Sequence, residues 1–320
     1  MNNRLKRVLL QNSLIIFLLA LVFVFSLFNE NYLTASNVNV ILRQASLLAL
    51  LGFAQTLVIV TGHIDLAIGS TIAFATVAFS HMLKNRDIPF LIPTLLIVVM
   101  GAGLGTLSGL IITKLKIPPF IATFATNYAY RGAAWLVMGS SVVYDLNPDF
   151  RFLGSGKVLD IPITIIFEVI IGILVFILLK KTTLGKKAYF IGANPKAAGY
   201  AGLNKDRVIV TVYAISSAIA AFTGAIYVAR LNTAEPALGT SYSLDSITTS
   251  LIGGALITGG RGGVWGTAIG AIIIATIKNG MNFMQISSEL QSLFMGAILV
   301  IAVFFNEFVA RKLEEIPADA

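Results

Sequence analysis

The sequence predicts an all-α polytopic membrane protein of about ten transmembrane helices, and three observations predict it. Hydrophobic residues fill 57% of 320 positions and charged residues only 12%. A soluble domain carries roughly 25% charged residues, so about half the usual surface charge is missing. The mean hydropathy of +0.86 agrees; lipid, not a soluble core, absorbs that much apolar surface. Second, apolar runs close to the roughly 20 residues that cross a bilayer recur along the chain. Third, the basic residues gather between those runs on one predicted side, which is how membrane chains set their orientation. The net charge of +8 is therefore orienting charge, and nucleic acid is not an expected partner.

Taken in order, the runs lie at 8–28, 40–60, 66–83, 91–113, 120–138, 161–179, 208–231, 244–259, 264–279 and 289–306. The first follows a basic start and could pass for a signal peptide. No small-x-small cleavage site follows it promptly and many spans come after, so it reads as a retained helix. The eighth and ninth are short and carry Gly and Thr, the pattern of broken or re-entrant helices sheltered inside a bundle.

With both termini inside, the inner segments hold Arg4, Lys6, Arg7, Lys114, Lys116, the cations of 180–207, Arg261, Arg311 and Lys312, most of the 23 basic residues. The outer loops collect Glu30, Asp87, Asp145, Asp149, Asp160 and Glu235. This asymmetry calls for an even number of spans. The chain reads as one transmembrane domain, 1–320.

An internal repeat is visible. Residues 101–112 and 262–273 both read G-x-x-x-G-T-x-x-G-x-I-I, placing Gly101, Gly105 and Gly109 against Gly262, Gly266 and Gly270. Ile64, Asp65, Ser70 and Ile72 match Leu244, Asp245, Ser250 and Ile252 more weakly. In the predicted topology the two copies run in opposite directions, giving inverted halves at about 40–138 and 208–306, a device of transporters. The plainer alternative is the common small-residue packing motif of lipid-embedded helices. On either account these glycines are expected at close helix crossings.

Catalytic signatures are missing. There is no Cys, the two His (His63 and His81) have no metal-ligand spacing, and no Ser sits in a nucleophile elbow. A phosphate-binding loop is also missing, so this chain is not expected to hydrolyse ATP. Paired acids and bases within the spans, which a proton-coupled carrier usually shows, are not evident; Glu168 is a lone candidate, either a functional intramembrane acid or one whose burial cost protonation relieves. Asp65 has two readings: an N-cap for the third span, or a gate that interacts differently in two transport states, with Gly62 and Gly69 fitting both.

The longest inner loop, 180–207, reads KKTTLGKKAYFIGANPKAAGYAGLNKDR. Asn194 and Pro195 signal a helix start and Gly202 its left-handed end. Between them, Ala197 and Ala198 offer a small-residue face beside Tyr200. Such a loop either lies on anionic headgroups or docks a partner; the capped helix favours docking.

Three stretches resemble the permease subunits of bacterial ribose-type ABC importers. The run GHIDLAIGS at 62–70 is similar to that family's G-x-D-L-S-V-G-S signature, with Ala67 and Ile68 in place of Ser and Val. The loop from Gly192 through Asn194, Pro195, Ala197 and Ala198 to Gly202 resembles its cytoplasmic docking helix. The glycines from Gly253 and Gly254 through Gly259, Gly260 and Gly262 to Gly266 and Gly270 resemble its C-terminal pattern. The likeness runs from about 37 to 305. It implies an ATP-driven importer in the bacterial inner membrane, with a second permease copy or a paralogue. ATPase subunits would bind ATP and Mg, and an extracytoplasmic sugar-binding protein would deliver substrate. This chain itself would carry no cofactor and no metal. Relatives moving branched-chain amino acids or nucleosides are the nearest alternatives, and an ion-coupled carrier a further one.

Overall fold

The computed structural model describes residues 12–139 and 141–315. Arg4, Lys6 and Arg7, the expected inner cations of the start, lie outside the described residues. The described chain is mostly helical, with loops between the helices and two short two-stranded pairings.

Helix α1 (Ser13–Phe28) is apolar with no buried residue, a face for lipid. Its exit is pinned by Tyr32, whose hydroxyl donates to Thr276 O at 3.1 Å and whose ring sits between Phe25 and Phe283. The Thr34 side chain caps α2 (Ala35–Ile59), which is buried without interruption from Ala45 to Ile59. Gly62 turns the chain with φ +79°, a conformation that favours Gly. The predicted third span is two helices, α3 (Ile68–Ala78) and α4 (Ser80–Lys84). At about 1.5 Å per residue the 11 residues of α3 reach only half of a ~30 Å hydrocarbon layer.

Helix α5 (Leu91–Lys114) and α6 (Pro119–Met138) follow, α6 starting with proline in the first turn, where no backbone donor is lost. A cap of short elements comes next: β1 (Val143–Tyr144), α7 (Pro148–Ser155) capped by Asn147, and the hairpin β2 (Lys157–Val158) and β3 (Ile161–Pro162). Helix α8 (Ile163–Lys181) leads to α9 (Thr183–Ala193) and α10 (Pro195–Tyr200). The second half repeats the long–short–long–long order with α11 (Lys205–Leu231), α12 (Tyr242–Ile252), α13 (Val264–Phe283) and α14 (Ser288–Glu315). Before α12, β4 (Thr233–Ala234) pairs antiparallel with β1.

The packing is reciprocal. α5 lies on α11 and α13 on α2; α3 packs on α6 and α11, while α12 packs on α14 and α2. Each predicted run contains a helix, but the predicted run at 244–259 overshoots, since α12 ends at Ile252 and a glycine-rich loop follows. Apolar side chains continue across that break, so hydropathy does not register it. Among the described residues α2, α5, α8, α11 and α13 are long and apolar enough to cross a membrane by themselves.

Candidate functional site

Loop 180–207 folds as expected around its caps. The Asn194 side chain accepts from Ala197 N at 2.9 Å, and Pro195 fills the first turn of α10. The helix ends where Gly202 takes φ +72°, with Leu203 N donating to Ala198 O at 3.1 Å, closing orphan carbonyls of the last turn. Tyr200 is 92% exposed at the tip. The expected small-residue face needs correction. Ala198 is fully buried in the chain's own core and Ala197 is half-buried, so the outward surface is Asn194, Pro195, Lys196, Gly199, Tyr200, Ala201 and Gly202. At 3.6 residues per turn a six-residue helix lying on a bundle must spend its small positions inward.

Three residues before α10, at Gly192, lies a junction of glycine backbones. A Cβ on Gly192 would collide with Val60 O and sit 2.7 Å from Gly260 N. One on Gly259 would lie 2.7 Å from Gly62 Cα and 2.9 Å from Gly192 Cα. Gly260 N donates to Val60 O at 3.0 Å, and Tyr189 Oη to Gly262 O at 2.7 Å. So the end of α9, the end of α2 and the loop after α12 touch backbone to backbone. With no side chains between them to flex, displacement of one segment displaces the others.

The starts of the two short helices also meet. A Cβ on Gly69 would collide with Gly239 O; Gly69 N donates to Ser243 Oγ at 3.1 Å, and Ser243 Oγ donates to Leu66 O at 2.7 Å. Arg131 of α6 holds the approach to α12 in place, donating to Pro236 O at 2.6 Å and Leu238 O at 2.5 Å. Asp65 is 1% exposed. One of its oxygens accepts from Ala67 N at 2.8 Å and the other has no partner. Gln55 brackets it, its amide oriented to donate to Asp65 O at 3.2 Å and accept from Asp65 N at 3.1 Å. The cap reading is thereby revised: the residue at the N-cap of α3 is Ala67, with no side-chain cap bond, and Asp65 instead closes the turn just before it.

The glycine ladders occupy different parts of their helices. In α5, a Cβ on Gly105 would collide with Tyr213 O; one on Gly101 would fall 2.6 Å from Ser217 O, and one on Gly109 2.8 Å from Val210 Cα, all on α11. Gly266 and Gly270 instead abut Gly253 and Thr249 at the end of α12, and Gly262 lies before α13 with φ +141° rather than at a helix crossing. The matched motifs sit late in α5 and at the start of α13, so matching sequence does not mean matching contact.

A charge pair between two helices of the bundle, not expected from the sequence, is present. Lys278 Nζ of α13 stands 2.6 Å from Asp245 Oδ2 of α12, with Ser241 Oγ donating to the same oxygen at 3.3 Å. The pair is 33 residues apart on different helices, and no local spacing announces it. Glu168 is half-buried on α8. Among the described residues no cluster of three or more His, Cys, Asp or Glu could hold a metal ion.

Interrupted helices meeting inside an apolar bundle, with an exposed capped helix tied to their ends, define a membrane transport permease. A family model described as the permease component of a branched-chain amino acid transport system matches residues 37–303, and the chain belongs to that family. It is thus a transport component and not an enzyme. It is 38% identical over 295 residues to the ribose import permease protein RbsC of Bacillus subtilis (strain 168), covering 90% of each chain. It is 32% identical over 315 residues to RbsC of Haemophilus influenzae, covering 97% of each. To the D-allose transport system permease protein AlsC of Escherichia coli it is 30% identical over 286 residues, covering 89% of this chain and 88% of the relative. No solved structure matches. The likeness to sugar import permeases read from the motifs is thus also found across nearly the whole chain.

Proposed function

We propose that this chain is the transmembrane permease of an ATP-driven importer that moves a ribose-like sugar by alternating access. The observation that carries the mechanism is the glycine junction behind α10. An ATPase subunit seated on the exposed face around Tyr200 would pull on α9 and, through Gly192, on the ends of α2 and α12. Those ends continue into the short helices that meet at Gly69 and Ser243, so a rocking motion at the inner face reaches the middle of the bundle. The sugar is supported by the names of the relatives, which specify ribose and D-allose.

In this reading ATP and Mg are bound by the ATPase subunits, and a second permease copy completes the membrane unit. An extracytoplasmic binding protein presents sugar at the outer cap formed by α7 and the short strands. Ten segments span or enter the inner membrane, with both termini cytoplasmic. The halves 40–138 and 208–306 are inverted copies; their reciprocal helix packing supports this better than the glycine motifs do.

The test is uptake of D-ribose into proteoliposomes holding the permease with its ATPase and binding protein. ATP-dependent uptake that excess leucine does not compete is the expected result. Uptake of leucine but not ribose would replace the substrate class with the one the family description names. Sugar uptake without ATP would make the chain an ion-coupled carrier, with Asp245 and Lys278 as its charge pair.

A further inference from the structure

Helix α2 is apolar enough to cross a membrane, yet its first three turns carry Ser36, Asn37, Asn39, Arg43 and Gln44. Gln44 lies nine residues into the helix, about 14 Å along it. Lipid does not tolerate such a face uncovered, because every unpaired polar group there costs free energy. Between this face and the end of α13 lies a cleft of about 540 Å³, lined by Asn31, Asn37, Gln44, Asn279, Asn282 and Phe283 among others. That volume falls within the range of small-molecule sites.

The floor of the cleft is fixed. Asn279 Nδ2 donates to Asn37 Oδ1 at 2.8 Å, Asn37 Nδ2 donates back to Asn279 Oδ1 at 3.1 Å, and Asn37 Nδ2 also reaches Tyr32 O at 2.7 Å. These amides cannot rotate without losing bonds, so the orientation of the wall is set before any ligand arrives. Gln44 differs: its Oε1 is shut off from solvent and has no hydrogen-bond partner. A buried acceptor left unmatched costs roughly 1–3 kcal/mol, which a donating ligand would relieve once the free Gln44 side chain turns into the cleft.

We infer that this amide-lined cleft is a binding site for a neutral sugar ring, the entry subsite for sugar on the outer side of the permease. Amides both donate and accept, as sugar hydroxyls do. No lining residue is charged, which fits a sugar and lacks the counter-charges that an amino-acid zwitterion requires. Phe283 supplies an apolar surface for the C–H face of a ring. The inference rests on the sugar-permease reading and names the residues that reading leaves open.

The chain contains no cysteine, so a single introduced thiol reports its own surroundings. In the assembled importer, Asn282→Cys is labelled with a membrane-impermeant maleimide, with Arg86→Cys as an outer-surface control. D-ribose in excess is expected to slow labelling of Asn282→Cys by about three- to tenfold, the scale of about one net hydrogen bond, while Arg86→Cys and glycerol in place of ribose show no change. Gln44→Leu removes no hydrogen bond of the fold, so it is expected to assemble normally and to lose ATP-driven ribose uptake about tenfold. Unprotected Asn282→Cys, equal protection by glycerol, or normal uptake by Gln44→Leu would overturn the site. Failure of the unsubstituted importer to take up ribose would instead refute the sugar-permease reading, and the site with it.

Discussion

Where α5 meets α11, Gly101, Gly105 and Gly109 bring one backbone against the other with no polar side chain needed to bridge them. Where α2 meets α12 and α13, Gly52 opens the same kind of space for the methyls of Thr267 and Thr249, but hydroxyls bond across the contact beside it: Thr56 Oγ1 lies 2.8 Å from Thr267 Oγ1 and 3.1 Å from Ser250 Oγ. Ser250 Oγ in turn reaches both Gly52 O and Ser246 O at 2.9 Å. The first contact has one arrangement; backbones in van der Waals contact cannot slide without opening a void. In the second, each hydroxyl has more than one partner within reach, so small shifts exchange bonds rather than break them. These two contacts are thus a fixed post on one side and an adjustable bearing on the other, which suits the proposed rocking motion.

Four substitutions break or sharpen that contrast. The largest effect is expected on the polar side, from Lys278→Met, which strands the buried Asp245 carboxylate; about 3–5 kcal/mol of stability in detergent should be lost. Adding Asp245→Asn should restore most of it, and a double variant no more stable than the single one would contradict the pairing. Next, Gly105→Leu forces a side chain into Tyr213 O and Ser217, at a cost of about 2–3 kcal/mol visible as lowered unfolding temperature and folded yield. An equally stable Leu variant would show that α5 and α11 are not held at that distance. Thr56→Val removes two hydroxyl contacts and should cost only about 1 kcal/mol, with uptake more affected than stability. A loss as large as that of Gly105→Leu would erase the distinction between post and bearing. The smallest change belongs to Asp65→Asn: the amide oxygen can still accept from Ala67 N, so fold and uptake are expected to persist. Intact folding with abolished uptake would assign the Asp65 charge to a gate.

The helices were legible because lipid enforces apolar runs near a fixed length, and the Asn194 cap and Gly202 turn were legible because their chemistry is local. What the sequence hid was relational. Phe79 divides α3 from α4, and Ile252 ends α12, within runs whose apolar composition does not change at the break. Ala197 and Ala198 read as an outward face because six residues specify a helix but not which side of it the bundle covers. The match of Gly105 with Gly266 was textual: a glycine ladder serves any close approach, and here it serves α11 in one place and the end of α12 in the other. Asp245 with Lys278, Arg131 with the approach to α12, and the glycine junction of α2, α9 and the loop after α12 are all contacts between distant segments, and only the fold brings them together.

The central claim, that α10 is where an ATPase grips and that its movement enters the bundle through Gly192, is tested most directly at Tyr200. Its side chain is 92% exposed and supports nothing within the chain, so Tyr200→Ala should fold as well as the unsubstituted permease. The measurement is the amount of ATPase subunit retained by the affinity-purified permease in detergent, compared for the two forms. An exposed aromatic at the centre of a docking surface is commonly worth 2 kcal/mol or more, so retention of the ATPase should weaken by at least about tenfold, and ATP-driven uptake with it. Unchanged retention and uptake would contradict the assignment of α10 as the docking helix.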